Sequence, residues 1–231
     1  MTTIIRSVDR TITSEEVIFL LNKYGLLSRL AYEDIIDRAV AHIECTPPEI
    51  AIASKLWQHS HKSTSPNHMA SAIRKLKIEK FKQQAWGDRI PAYFARRKKQ
   101  LDRVIYSSIE IETKEIAREI YFRLIEGEQT FAELARECSE NSQMEVNNLG
   151  WLELGTLPSP IARQLSTLEV NSFSTPLLVG NCYVILRLEK YVSAQCDRAM
   201  RKRLINELFS QWIQQQLTQQ KYHLENVNSL Q

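Results

Sequence analysis

Few side chains in this sequence could carry nucleophilic or metal chemistry, and their spacing assigns them little. Cys45, Cys138, Cys182 and Cys196 are scattered with no C-x-x-C pair, which fits reduced thiols better than a disulfide frame or a zinc site. His59, His61 and His68 fall together in QHSHKSTSPNHM, yet no cysteine or carboxylate lies among them to complete a metal's ligands, so the segment reads as a polar loop. No metal and no cofactor are expected. Two stretches remain. ARRKKQ, residues 95–100, would spread its charge round a helix: a solvated face, or a contact for an acidic partner. NNLGWLELGTLPSP, residues 147–160, sets apolar residues between polar turns and ends in two prolines bracketing Ser159. Its apolar side chains either enclose a small apolar group or fill a core.

The elements that would position these residues are consistent with a folded protein. The chain has 231 residues, 43% apolar and 25% charged, enough for one large domain or two modest ones. Thirty basic residues against 27 acidic ones give a net charge of +3, too balanced to imply a nucleic acid partner. The first 25 residues lack the basic leader and continuous apolar core of an export signal, since Arg6, Asp9, Arg10, Glu15 and Glu16 interrupt them. No run approaches the roughly 18 apolar residues of a membrane span. A cytoplasmic protein without membrane insertion is the expectation.

The first hundred residues read as helices. Thr13 and Glu16 have capping-box spacing, and Gly25 is placed to stop the helix that follows. Leu30, Ile35, Ile36, Ala39 and Ile43 stripe a second helix, and Thr46-Pro47 opens a third carrying Ile50, Ala53, Leu56 and Trp57. A fourth runs through Met69, Ile73, Leu76 and Phe81 to Gly87, and Pro91 starts a shorter one. At residue 103 the pattern changes. RVIYSSIEI predicts a strand over 103–111, then a helix faced by Ile116, Ile120 and Leu124 and closed by Gly127. Thr130 and Glu133 box the next helix, with Phe131, Leu134 and Ala135 inward. A short strand in NNLGWLEL, a short helix in PSPIARQLST, and strands in SFSTPLLVG and NCYVILRLEKY complete an α+β domain with a four-stranded sheet. Beyond it one long helix carries Leu204, Leu208, Trp212, Ile213 and Leu217 on a side that demands a partner surface.

FAELARECS, then LGW, then a proline-bounded helix, then FSTPLLVG and YVILRLEKY resemble, in that order, the parvulin-type (PpiC, rotamase) peptidyl-prolyl cis-trans isomerase domain. The helical segment ahead of it and the helix after it are similar to the SurA and PrsA type of foldase chaperone. More narrowly, YFARRKKQLDRVIYS leading into YFRLIEGEQTFAELARE is similar to a group of cyanobacterial parvulin-like proteins that lack a signal peptide. The resemblance implies a helical module over 1–102, a parvulin-like domain over 103–192, and a terminal segment, 193–231, whose helix returns to the first module.

It also implies site positions. Leu149, Leu157 and Ile161 would hold a substrate proline, with Trp151 beside them. The family commonly has a histidine on its first strand and another on its last, with a cysteine or aspartate and a hydroxyl nearby. Here these positions fall on Ser108, Val184, Asn141 and Asn181, and no shift rescues the histidines, because the chain has none between His68 and His223. The implied function is a foldase or chaperone binding unfolded or proline-containing polypeptides, with a degenerate site and weak or absent isomerase activity. Two alternatives stay open: a working isomerase, and a non-enzymatic adaptor docking an exported peptide or its transporter.

Overall fold

The computed structural model describes residues 5–6, 11–60, 68–141 and 150–219. In chain order these form β1 (Ile5–Arg6), β2 (Thr11–Ile12), α1 (Ser14–Lys23), α2 (Leu27–Val40), α3 (Pro47–Ser60), α4 (His68–Trp86), α5 (Ile90–Leu101) and β3 (Arg103–Ile111). There follow α6 (Lys114–Glu126), α7 (Phe131–Asn141), β4 (Leu152–Glu153), α8 (Ser159–Leu165), β5 (Leu177–Val179), β6 (Cys182–Val192) and α9 (Arg198–Gln219). The chain divides into two compact units, Met1–Ile90 with Arg198–Gln231, and Pro91–Asp197. None of the described helices is long and apolar enough to cross a membrane.

The first unit is helical. Its α1 starts where the sequence places it: the Glu16 N–H donates to Thr13 Oγ1 at 3.3 Å, and the Thr13 N–H donates to the Glu16 carboxylate at 3.0 Å. The interior is built on α2, α4 and α9. Ile36, Val40, Ile43, Trp86, Phe209 and Ile213 are buried together, with Phe81 and Trp212 packed against them. Phe209 and Trp212 stack at 6.0 Å, and Phe81 meets Trp86 edge-on at 5.7 Å. Lys82 is buried beside this cluster without a solvation deficit. Its ammonium lies 4.8 Å from the Phe209 ring and donates to Glu79 and Asn206 at 2.8 and 3.0 Å. Of the expected helical stripes, Leu30, Leu56 and Met69 lie outside the core, at 56%, 63% and 44% exposed. On α2 the inward face is centred on Ala31, Ile35, Ile36 and Val40, which leaves Leu30 beyond its edge.

The second unit is an antiparallel sheet in the order β4-β3-β6-β5 with helices on both faces, and the expected α+β class holds. One face carries α6 and α7 through Ala117, Ile120, Leu124, Phe131, Leu134 and Ala135 against Ile109, Ile111 and Ile185. Ile116 is corrected to the surface, because the buried stripe of α6 runs one residue later, from Ala117. SFSTPLLVG is a regular strand only over Leu177–Val179. Upstream, the Ser174 hydroxyl stands in for a backbone carbonyl, accepting from the Leu186 N–H at 3.0 Å, and Pro176 has no N–H to give.

A buried carboxylate ties the unit together. Asp102, 2% exposed between α5 and β3, accepts from the Ala194 N–H at 2.7 Å and from the Tyr191 hydroxyl, and the Lys98 ammonium is 3.5 Å away. Its backbone carbonyl accepts from Leu154 N–H at 2.9 Å. Gly155 follows, packed so tightly that a Cβ there would sit 2.9 Å from the Gln100 carbonyl oxygen. These ties join α5 and the turn after β6 to the sheet. The compact sheet unit runs from Pro91 to Asp197, taking in α5 and the turn after β6 on either side of residues 103–192.

Burial first, and then the hydrogen bond to Asp102, push the Tyr191 phenol from its ordinary 10.0 up to about 12. A phenol raised in this way stabilises the fold fully below the unfolded value, and the contribution is lost as pH climbs from about 10 toward about 12. Wild-type stability should therefore drop across that alkaline window more than that of Tyr191→Phe, measured by urea unfolding at each pH. Asp102→Ala leaves the Ala194 N–H buried and unpaired. It should cost about 3 kcal/mol, read as a roughly hundredfold loss of hydrogen-exchange protection at Val104 and Leu188; Asp102→Asn, which keeps an acceptor, should lose much less.

Candidate functional site on the second sheet face

Alternation along β3 puts Tyr106, Ser108 and Glu110 on the sheet face that α8 covers. Across the ladder Ser108 stands opposite Leu186, and Glu110 opposite Val184. Ser108 and Val184 are therefore diagonal neighbours on one face, roughly 7–8 Å apart. The two positions that the resemblance pairs are brought together, but their character differs from a polar site. Val184 is 4% exposed and belongs to a buried cluster with Val104, Leu154, Leu165, Leu186 and Leu188.

The loop and helix expected to hold a proline lie on this cluster. Pro158 sits at the N-cap of α8, Ser159 and Pro160 form its first turn, and Leu165 anchors it with no exposed surface. Leu157 and Ile161 are half-buried and pack against the cluster, so part of each is presented outward. Trp151 is at the β4 edge, exposed, with the Arg103 guanidinium 5.7 Å from its ring centroid. Leu149 lies outside the described residues. Asn141 is the last residue of α7. Asn181 is exposed in the two-residue Gly180-Asn181 turn between β5 and β6, where Gly180 takes φ +61°. That turn is three residues from Val184, roughly 10 Å along the strand.

Two polar neighbours of Ser108 were not singled out from sequence, although a two-residue alternation from Ser108 contains them. Tyr106 is half-buried, and burial, followed by the negative charge of Glu110, raises its phenol, so it stays a neutral hydroxyl. Ser108 and Tyr106 can thus donate or accept hydrogen bonds, and Glu110 can only accept. Cys138 packs on the α6 and α7 side, away from this face, where burial raises its thiol. The face can hold an apolar group and hydrogen-bond an amide; covalent chemistry is not what its residues offer.

Residues 107–190 match the family model of the PPIC-type PPIASE (rotamase) domain. The sheet unit is thus a parvulin-type domain, in a chain organised as helical module plus parvulin domain. A stretch of 57 residues, 25% of the chain, is 35% identical to the Chaperone SurA of Pseudomonas putida, of which it spans 13%. Among solved structures, the chain is similar to a peptidylprolyl isomerase, PrsA, from Bacillus cereus, at 18% identity, covering 97% of this chain and 94% of that one with a TM-score of 0.44. It is also similar to PrsA from Bacillus anthracis, at 16% identity, covering 87% and 100%, with a TM-score of 0.45.

Because Val184 is core, a histidine there must be buried in an apolar cluster, which lowers its pKa below the usual value near 6.5. Val184→His should destabilise the unit by roughly 1–3 kcal/mol at pH 8, and by more as pH falls below about 6.5. The pH dependence arises because the unfolded chain takes up the proton first. Thermal unfolding of wild type and variant at pH 8 and pH 5.5 checks this.

Proposed function

We propose that the chain is a foldase or chaperone of the parvulin type that binds unfolded or proline-containing polypeptide segments and has weak or absent isomerase activity. One observation supports the reading: Val184, the residue to which the resemblance assigns the family's last-strand histidine, is buried, a diagonal neighbour of Ser108, with its side chain in the core. Rotation about an X-Pro bond meets a barrier of about 18–20 kcal/mol and takes on the order of tens to hundreds of seconds unaided. A surface accelerates it only by holding the twisted amide more tightly than the planar ones. Leu157 and Ile161 supply apolar contact for a proline ring, which both planar and twisted forms share. Ser108 and Tyr106 are the nearby groups that could favour the twisted form, and the chain has no histidine between His68 and His223 to back them. Binding therefore outlasts catalysis on this face.

Two-dimensional exchange NMR on apolar X-Pro peptides tests both halves. The peptide should shift the amide signals of Leu157 and Ile161, and Ile161→Ser should abolish those shifts. The cis-trans exchange rate should remain within about tenfold of the spontaneous one. Rapid catalysis by the unmodified chain would overturn the first half, and an unperturbed α8 face would overturn the second.

A further inference from the structure

Away from that face, α6 borders two grooves of opposite character. One is lined by Glu112, Glu119 and Glu137 with Arg123 among them. That guanidinium is already taken up, since it meets Glu119 and lies 3.7 Å from Glu137. The other groove, of about 440 Å³, is lined by Lys114, Arg118, Tyr121, Phe122, Pro176 and Tyr183. Lys114 and Arg118 are one helical turn apart, where like charges repel. Lys114 is also the first residue of α6, where the helix dipole disfavours a cation. Both are exposed, and among the described residues neither has a hydrogen bond or an ion pair. Two cations in positions that local electrostatics oppose, with no internal partner, are the kind of local conflict that a ligand resolves.

The apolar part of the groove is built rather than incidental. Phe173, half-buried against the α6 and α7 core, meets Tyr121 edge-on at 6.2 Å, and Tyr121 meets Phe122 at 6.1 Å. The series of rings runs from the core to Phe122, which is 57% exposed. Pro176 and Tyr183 form the opposite wall. Rigid aromatic walls suit an extended segment, which can lay a ring or a proline between them.

We propose that this groove docks an extended polypeptide segment in which an acidic side chain stands beside an aromatic or proline residue. The carboxylate would pair with Arg118 and Lys114, and its apolar neighbour would lie between Phe122 and Tyr183. Charge complementarity selects the acid, and the aromatic lining selects what flanks it. A nucleic acid fits less well, because two cations give little phosphate neutralisation and the acidic groove on the same helix repels a polyphosphate. The groove is on the α6 side of the sheet, whereas Leu157 and Ile161 are on the α8 side, so the two sites can be filled independently.

The test is a titration of the full chain with the peptide acetyl-Gly-Glu-Phe-Pro-Glu-Phe-Gly-amide, followed by backbone NMR, with a lysine-for-glutamate version as control. Saturable shifts should appear at Lys114, Arg118, Phe122 and Tyr183 with the acidic peptide alone, and should weaken several-fold between about 50 and about 500 mM salt. K114E/R118E should weaken binding by roughly tenfold or more, Phe122→Ala should weaken it several-fold, and Ile161→Ser should leave it unchanged. All of the groove substitutions are at exposed positions, and dispersed spectra of the variants verify their folding. Equal binding of the lysine peptide, undiminished binding by K114E/R118E, shifts confined to the α8 face, or displacement by an equimolar oligothymidylate would each overturn the proposal.

Discussion

The position of Ser108 relative to Val184 depends on a carboxylate that touches neither. Asp102 is buried, and a buried charge without partners would not survive folding. Its partners are the end of β6, through Tyr191 and Ala194, and the turn after β4, through Leu154. The acid thereby fastens one end of the central β3-β6 pair. A bulge follows at once: Ile105 pairs with Lys190 but Tyr106 with Leu188, leaving Glu189 unmatched. From there the register runs unbroken to Ile111 opposite Tyr183. A slip of one residue would send Tyr106, Ser108 and Glu110 to the opposite face and bring Ile109 out of the α6 core. The clasp and the bulge together fix which side chains the α8 face of the sheet presents.

How much of this the sequence discloses depends on the range of the interaction. The capping boxes at Thr13 and Thr130, the strand from Arg103 to Ile111 and the stop at Gly127 were legible, because each is decided within a few residues by spacing or by a positive φ. The Asp102 clasp was not, since it joins residues 89 and 92 positions apart, and an aspartate after a basic run looks like a solvated helix end. Ser174 was equally opaque: a serine near a proline suggests a turn, and only the fold turns its hydroxyl into a missing rung of the ladder. At the site, Tyr106 and Glu110 were missed, although a two-residue alternation from Ser108 contains both. Depth was the missing information. Val184 is apolar in sequence either way, and whether it lines a floor or fills a core depends on Leu154, Leu165 and Leu186 closing over it.

The sheet unit holds an apolar residue, Val184, at the position to which the sequence resemblance assigns a ring. Valine suits the place, being β-branched, on a central strand and without a polar group to satisfy. Val184 brings packing and no titratable side chain to the contact between sheet and α8. Fold and chemistry are separable here because the sheet face under α8 serves both, and packing has taken the share of it that Val184 occupies.

The outer strands of the sheet set a further condition on how anything can be held. β4 has two residues and β5 three, and beside β5 a serine hydroxyl and a proline ring interrupt the row of backbone groups. Among the described residues, neither border offers a long run of free N–H and C=O groups on which an extended chain could be zippered as an extra strand. Unfolded polypeptides, which pair readily with any open border, would therefore be gripped through side chains and not through their backbone. An association of that kind, on the proposed reading, has no ladder to unpick, and among the described residues of this four-stranded sheet no long border lies open for a second copy to extend.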